Sequence, residues 1–174
     1  LAPEHAYPAA ADDCETVALW LIENLKSEYG TEKIVVGGES AGAHLCVTTL
    51  LRLKGKNIHH KIKALNLIFG TYNANTLPSE INSENENLLL SSEMMKKFED
   101  SYLPMFGNFS DMPPAIFTIG TRDLLLDHTL LMHSRWTAYG NKAELVIVPG
   151  ADHAFIAFPC ETTSAVIKEL NRFL

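Results

Sequence analysis

Ile34-Val35-Val36-Gly37-Gly38-Glu39-Ser40-Ala41-Gly42 decides the reading of this chain of 174 residues. A β-branched run enters a Gly-x-Ser-x-Gly pentapeptide, and a helical apolar pattern with Leu45, Thr49 and Leu53 aligned leaves it. A strand that turns sharply into a helix through such a pentapeptide is a nucleophile elbow, which lifts a serine hydroxyl above a sheet edge. Gly38 and Gly42 fit the need for small residues where strand and helix pack closely. A serine hydroxyl is a weak nucleophile until a base takes its proton. The elbow therefore predicts a histidine and an acid further along the chain.

Outward from the elbow, the periodicity predicts a helix from Pro8 to Tyr29, with Val17, Leu21, Ile22 and Leu25 on one face and Gly30 as its stop. A strand spans Ile34 to Gly37 and a helix Ala41 to Leu53. A second strand, Ile62 to Phe69, is apolar enough to be covered on both faces. The polar stretch 71–92 departs from the pattern and reads as a loop or lid-like insertion. A short amphipathic helix follows from Ser91 to Tyr102. After Pro113-Pro114 come a strand (Ala115 to Gly120), a helix (Leu126 to Tyr139), a strand (Ala143 to Val148) and a terminal helix (Thr162 to Leu174). Alternating strands and helices imply an α/β fold: a mostly parallel sheet with helices on both faces, and sites at the carboxyl ends of its strands.

Composition sets the class. With 47% hydrophobic and 20% charged residues, the chain can build a real core, and residues 1–174 read as a single domain. A net charge of −7 argues against nucleic acid or an anionic membrane as partner. No apolar run approaches the ~20 residues that span a bilayer. Cys14, Cys46 and Cys160 are too widely spaced for a metal site or a disulfide framework, which points to a reducing compartment, and the lack of a charged-then-apolar opening stretch resembling a signal peptide makes a cytoplasmic setting the expectation. The chain opens on Leu1 inside a turn sequence, and the expectation is a piece of a longer protein.

Seven histidines compete for the role of base. His5 lies in the opening turn, and His44 one turn into the helix after the elbow, as a packing or supporting residue. His59 and His60 sit in a polar connector, and His128 and His133 fall within a helix. Only His153 lies just past the carboxyl end of a strand, where a loop side chain can reach a serine on a neighbouring strand end. For the acid, Asp123 follows the third strand directly. Asp127 is the rival, better placed to cap the helix beginning there. Asp152, adjacent to His153, is badly placed to orient that imidazole from behind. The order is then Ser40, Asp123, His153, the chain order of α/β-hydrolases rather than of chymotrypsin or subtilisin.

These residues resemble one branch of that fold family, the hormone-sensitive-lipase-like esterases. The opening Leu1-Ala2-Pro3-Glu4-His5, with Pro8-Ala9-Ala10 and Asp12-Asp13, is similar to the branch's segment before its elbow. Gly38-Glu39-Ser40-Ala41-Gly42 resembles its Gly-Asp-Ser-Ala-Gly. Gly120-Thr121-Arg122-Asp123-Leu124-Leu125-Leu126-Asp127 resembles its acid motif, and Gly150-Ala151-Asp152-His153-Ala154-Phe155 its His-Gly-Phe motif. Glu39, Ala43-His44, Leu124 and Ala154 depart from the usual residues without removing a catalytic group.

The resemblance implies the α/β-hydrolase fold with its N-terminal strands missing, and a carboxylic-ester hydrolase acting on short to medium acyl chains. It implies no metal or organic cofactor and a small-molecule ester substrate. The branch's His-Gly-Gly-Gly loop does not occur in the 174 residues, which leaves the backbone N–H of Ala41 as the oxyanion donor present. The expectation is therefore that the piece alone is nearly inactive, and poorly soluble because one edge of the Ile34 strand lies unpaired. Two other functions stay open: a non-catalytic protein that binds a small ligand on the same fold, and an amidase or peptidase using the same three residues.

Overall fold

A computed structural model describes residues 3–73, 77–81 and 104–173. Helix α1 (Ala9–Tyr29) ends at Gly30, whose φ of 69° closes it in the left-handed conformation. Then come β1 (Ile34–Glu39), α2 (Ala41–Gly55) and β2 (Ile62–Ile68). A four-residue helix, α3 (Pro78–Ile81), lies within the polar stretch that reads as a loop in the sequence. β3 (Ala115–Gly120), α4 (Leu126–Ala138), β4 (Ala143–Val148) and α5 (Glu161–Phe173) complete the order. The helix expected from Ser91 to Tyr102 lies outside the described residues.

The sheet runs β1-β2-β3-β4, and every pairing is parallel. β3 is buried along its whole length, as a strand covered on both faces must be. One face of the sheet packs with α1, α2 and α4 around Leu50, Leu65, Phe117 and Trp136. The other packs with α5 around Ile116, Ile119, Val166 and Leu170. The indole N–H of the buried Trp136 donates to the Pro113 carbonyl at 3.1 Å, so its burial leaves no donor stranded.

β1 lies at one edge of this sheet. Beside it, an apolar groove of about 410 Å³ opens between α1 and α2, lined by Cys14, Val17, Leu21, Val36, Leu45 and Cys46. Val17 lines this groove together with Leu21, the face its spacing predicts, and is 58% exposed because the groove is open. No helix of the described residues is long and apolar enough to cross a membrane, and no group of three among their His, Cys, Asp and Glu side chains could hold a metal ion.

The three thiols differ in a way that can be measured. Burial pushes the Cys46 thiol up to about 12, and burial with the nearby Asp13 charge raises Cys14. Cys160 is exposed, and its sulfur meets the Thr163 hydroxyl at 3.3 Å and accepts the Thr163 N–H at 3.4 Å, contacts that lower its pKa. The thiolate is the reactive form. Brief alkylation of the native protein at neutral pH is therefore expected to modify Cys160 first and spare Cys46 until the chain is unfolded, as read by peptide mass mapping.

Candidate active site

The elbow forms as the pentapeptide requires. Ser40 joins β1 to α2 with φ 52° and ψ −117°, a conformation that non-glycine residues rarely hold. Its backbone is pinned, for the Ser40 N–H donates to the Ile68 carbonyl at 2.9 Å and the His44 N–H to the Ser40 carbonyl at 3.2 Å. The two glycines of the motif differ. A Cβ on Gly38 would collide with the backbone of Gly42 and Ala43, whereas one on Gly42 would meet open space. The close approach is thus paid for at position 38 alone. Gly38→Ala is expected to cost about 3 kcal/mol or more, because backbone cannot step aside as a side chain can. A chemical denaturation midpoint would read the loss, and a midpoint close to the native one would contradict the packing.

Asp123 and His153 arrive from the carboxyl ends of β3 and β4. Asp123 is 2% exposed and His153 8%. The imidazole Nδ1 lies 2.9 Å from Asp123 Oδ2 and 3.1 Å from Oδ1, and its Nε2 lies 3.1 Å from Ser40 Oγ. A carboxylate only accepts, so this geometry assigns the proton to Nδ1 and leaves Nε2 as acceptor for the serine hydroxyl. Asp123 is fixed in turn, because its Oδ1 accepts the Leu125 N–H at 2.8 Å. All three residues singled out in the sequence meet within hydrogen-bonding distance. The Ala41 N–H opens α2, where a helix offers no internal acceptor.

Asp127 proves to have another task. It does not cap its own helix, where Leu125 is the capping residue. Its Oδ2 accepts the Ser79 N–H of α3 at 2.8 Å, while the Ser79 hydroxyl donates to the Leu124 carbonyl at 2.7 Å. It therefore ties α3 to the start of α4.

Further residues shape the site. The Phe69 ring, at the end of β2 with φ 36°, sits 4.8 Å from the His153 ring centroid to centroid. The rule that sites gather at carboxyl strand ends could have flagged it. The segment after Phe69 is held by two histidines. His44 Nδ1 donates to the Thr71 carbonyl at 3.1 Å, and burial lowers its pKa, partly offset by that bond. His128, fully buried, accepts the Tyr72 and Asn73 N–H groups on Nδ1 at 3.1 and 3.3 Å. Ala154 holds φ 62° next to His153, a left-handed conformation that favours the glycine of the His-Gly-Phe motif it resembles.

A profile of the alpha/beta hydrolase fold matches residues 1–157. The chain belongs to this family. Among curated proteins it is 28% identical to the acetyl esterase of Salmonella paratyphi B over 174 aligned residues, covering 91% of this chain and 54% of that one. The structure overlays on a hyperthermophilic esterase of the archaeon Pyrobaculum calidifontis with a TM-score of 0.89 and 27% identity, covering 99% of this chain and 62% of the other. It also overlays on brefeldin A esterase, a bacterial homologue of human hormone-sensitive lipase, with a TM-score of 0.84, covering 97% of this chain and 53% of that one. At 19% identity, that last likeness speaks to the fold alone. The chain spans about half the length of the curated relatives it matches.

Proposed function

We propose that the protein is a serine carboxylic-ester hydrolase in which Ser40, Asp123 and His153 form the catalytic triad. One observation carries the reading: a single imidazole bridges a buried carboxylate and a serine held in the strained conformation of an elbow. His153 takes the Ser40 proton on Nε2 as Oγ attacks the ester carbonyl, and Asp123 balances the imidazolium that forms. The Ala41 N–H donates to the developing oxyanion. His153 then returns the proton to the departing alcohol, and water enters by the same route in reverse to release the acid and free Ser40. The acetyl esterase relative supports short acyl chains as substrates.

A removed oxyanion donor costs on the order of 10²–10³ in turnover. The 174 residues hold no His-Gly-Gly-Gly stretch to add donors to Ala41. Turnover by these residues alone is therefore expected to fall well below that of the whole protein. The test compares p-nitrophenyl acetate, butyrate and octanoate with the matching p-nitroanilides on the whole protein. Faster cleavage of the shorter esters supports the proposal. Preference for the anilides would make the protein an amidase, and a folded protein inert to both would favour a binding role.

A further inference from the structure

The loops that carry Asp123 and His153 are joined rung by rung beyond the ends of their strands. β3 and β4 pair in register as far as Gly120 and Val148. Past that point the Thr121 N–H donates to the Val148 carbonyl at 3.0 Å, and the Gly150 N–H to the Thr121 hydroxyl at 2.8 Å. The Arg122 N–H donates to the Ala151 carbonyl at 3.0 Å. Gly120 sits so close beneath Ala151 that a Cβ there would collide with the Ala151 carbonyl. The next rung joins Arg122 Nε to Asp152 Oδ1 at 3.0 Å, and the one after it joins Asp123 to His153.

The Arg122–Asp152 rung is charge on charge, since Asp152 Oδ1 has no aligned hydrogen bond among the described residues. Its side chains are 52% and 40% exposed, so the pair adds little to global stability. Each partner is the immediate chain neighbour of a triad residue. We propose that the Arg122–Asp152 ion pair is a positioning clamp, fixing the separation of the two loops so that one imidazole can meet Asp123 and Ser40 at once. The proposal rests on the triad reading above. Its warrant is the steep dependence of rate on alignment, where a misplacement of about 1 Å can cost roughly 10²-fold. An exposed ion pair is also screened by salt, with a Debye length of about 3 Å at 1 M.

The test uses Arg122→Gln, Asp152→Asn, the double variant and Asp152→Glu in the whole protein. Asparagine matches aspartate in size, glutamine keeps a polar end in place of the guanidinium, and each substitution removes one charge of the pair. Amide hydrogen exchange at Thr121, residue 122 and Gly150 reads the clamp without substrate. Roughly tenfold faster exchange is expected in the two neutral variants, with the β2 and β3 amides unchanged. In ester hydrolysis, each neutral variant is expected to lose roughly tenfold in kcat at constant KM. The double variant should lose no more than either single, and Asp152→Glu should recover most of the rate. Molar salt should slow the native protein and leave the neutral variants unaffected. Unchanged exchange in both neutral variants overturns the clamp whatever the activity. Faster exchange with kcat intact, or losses that multiply in the double variant, overturns the positioning role. Ester turnover that survives Ser40→Ala would instead overturn the triad reading, and the exchange data would still decide whether the pair holds the loops.

Discussion

Ser40→Ala is expected to lower ester turnover by on the order of 10⁶ while leaving the fold intact. The size of the effect follows from how the site is built. The hydroxyl that would attack is 3.1 Å from the only ring nitrogen of His153 not committed to Asp123. Without Oγ, the imidazole has no proton to take and the acyl group has nowhere to go. Alanine fits the site, since the backbone bonds that pin residue 40 involve its N–H and carbonyl rather than its side chain. Alanine at φ 52° suffers the same backbone strain as serine. The melting temperature should therefore change little, and substrate analogues should still bind. A rate and a melting curve measured beside the native protein check the two halves of this expectation, and a loss of only a few-fold in rate would remove Ser40 from the chemistry.

Asp123→Asn is the second large effect, a fall in kcat of about 10⁴. Asp123 Oδ1 already accepts the Leu125 N–H at 2.8 Å. An asparagine keeps that bond by turning its carbonyl to Leu125, which aims its NH₂ at His153 Nδ1. Nδ1 must then accept, the imidazole proton moves to Nε2, and an N–H faces Ser40 where a lone pair is needed. The variant should fold normally and fail chemically. Asp127→Asn is the control. It acts on the Ser79 contact between α3 and α4, so its effect should fall on stability rather than on kcat.

What was legible in the sequence was local. The pentapeptide dictates its own turn, and β3 and β4 run from Ala115 to Gly120 and from Ala143 to Val148 as their apolar runs and flanking Pro and Gly predict. Those strand ends then single out Asp123 and His153, because in a parallel sheet only residues just past carboxyl ends converge. What was not legible depends on partners far along the chain. The role of Asp127 is set by Ser79, 48 residues earlier. His128 looks like any helical histidine until the Tyr72 and Asn73 amides, 56 and 55 residues away, are seen to point at it. Val17 keeps helical spacing whether or not a neighbour covers it. Gly42 looks as constrained as Gly38, yet the crowding is one-sided, since it depends on the direction in which each Cβ would point.

The most direct test of the central claim is covalent trapping. The whole protein is treated with a p-nitrophenyl alkylphosphonate, whose phosphorus mimics the tetrahedral carbon of ester attack. The account predicts one nitrophenol released per protein molecule, a phosphonyl adduct on the peptide carrying Ser40, and loss of ester turnover in step with labelling. Full turnover with no adduct on Ser40, or inactivation through an adduct elsewhere, would contradict it.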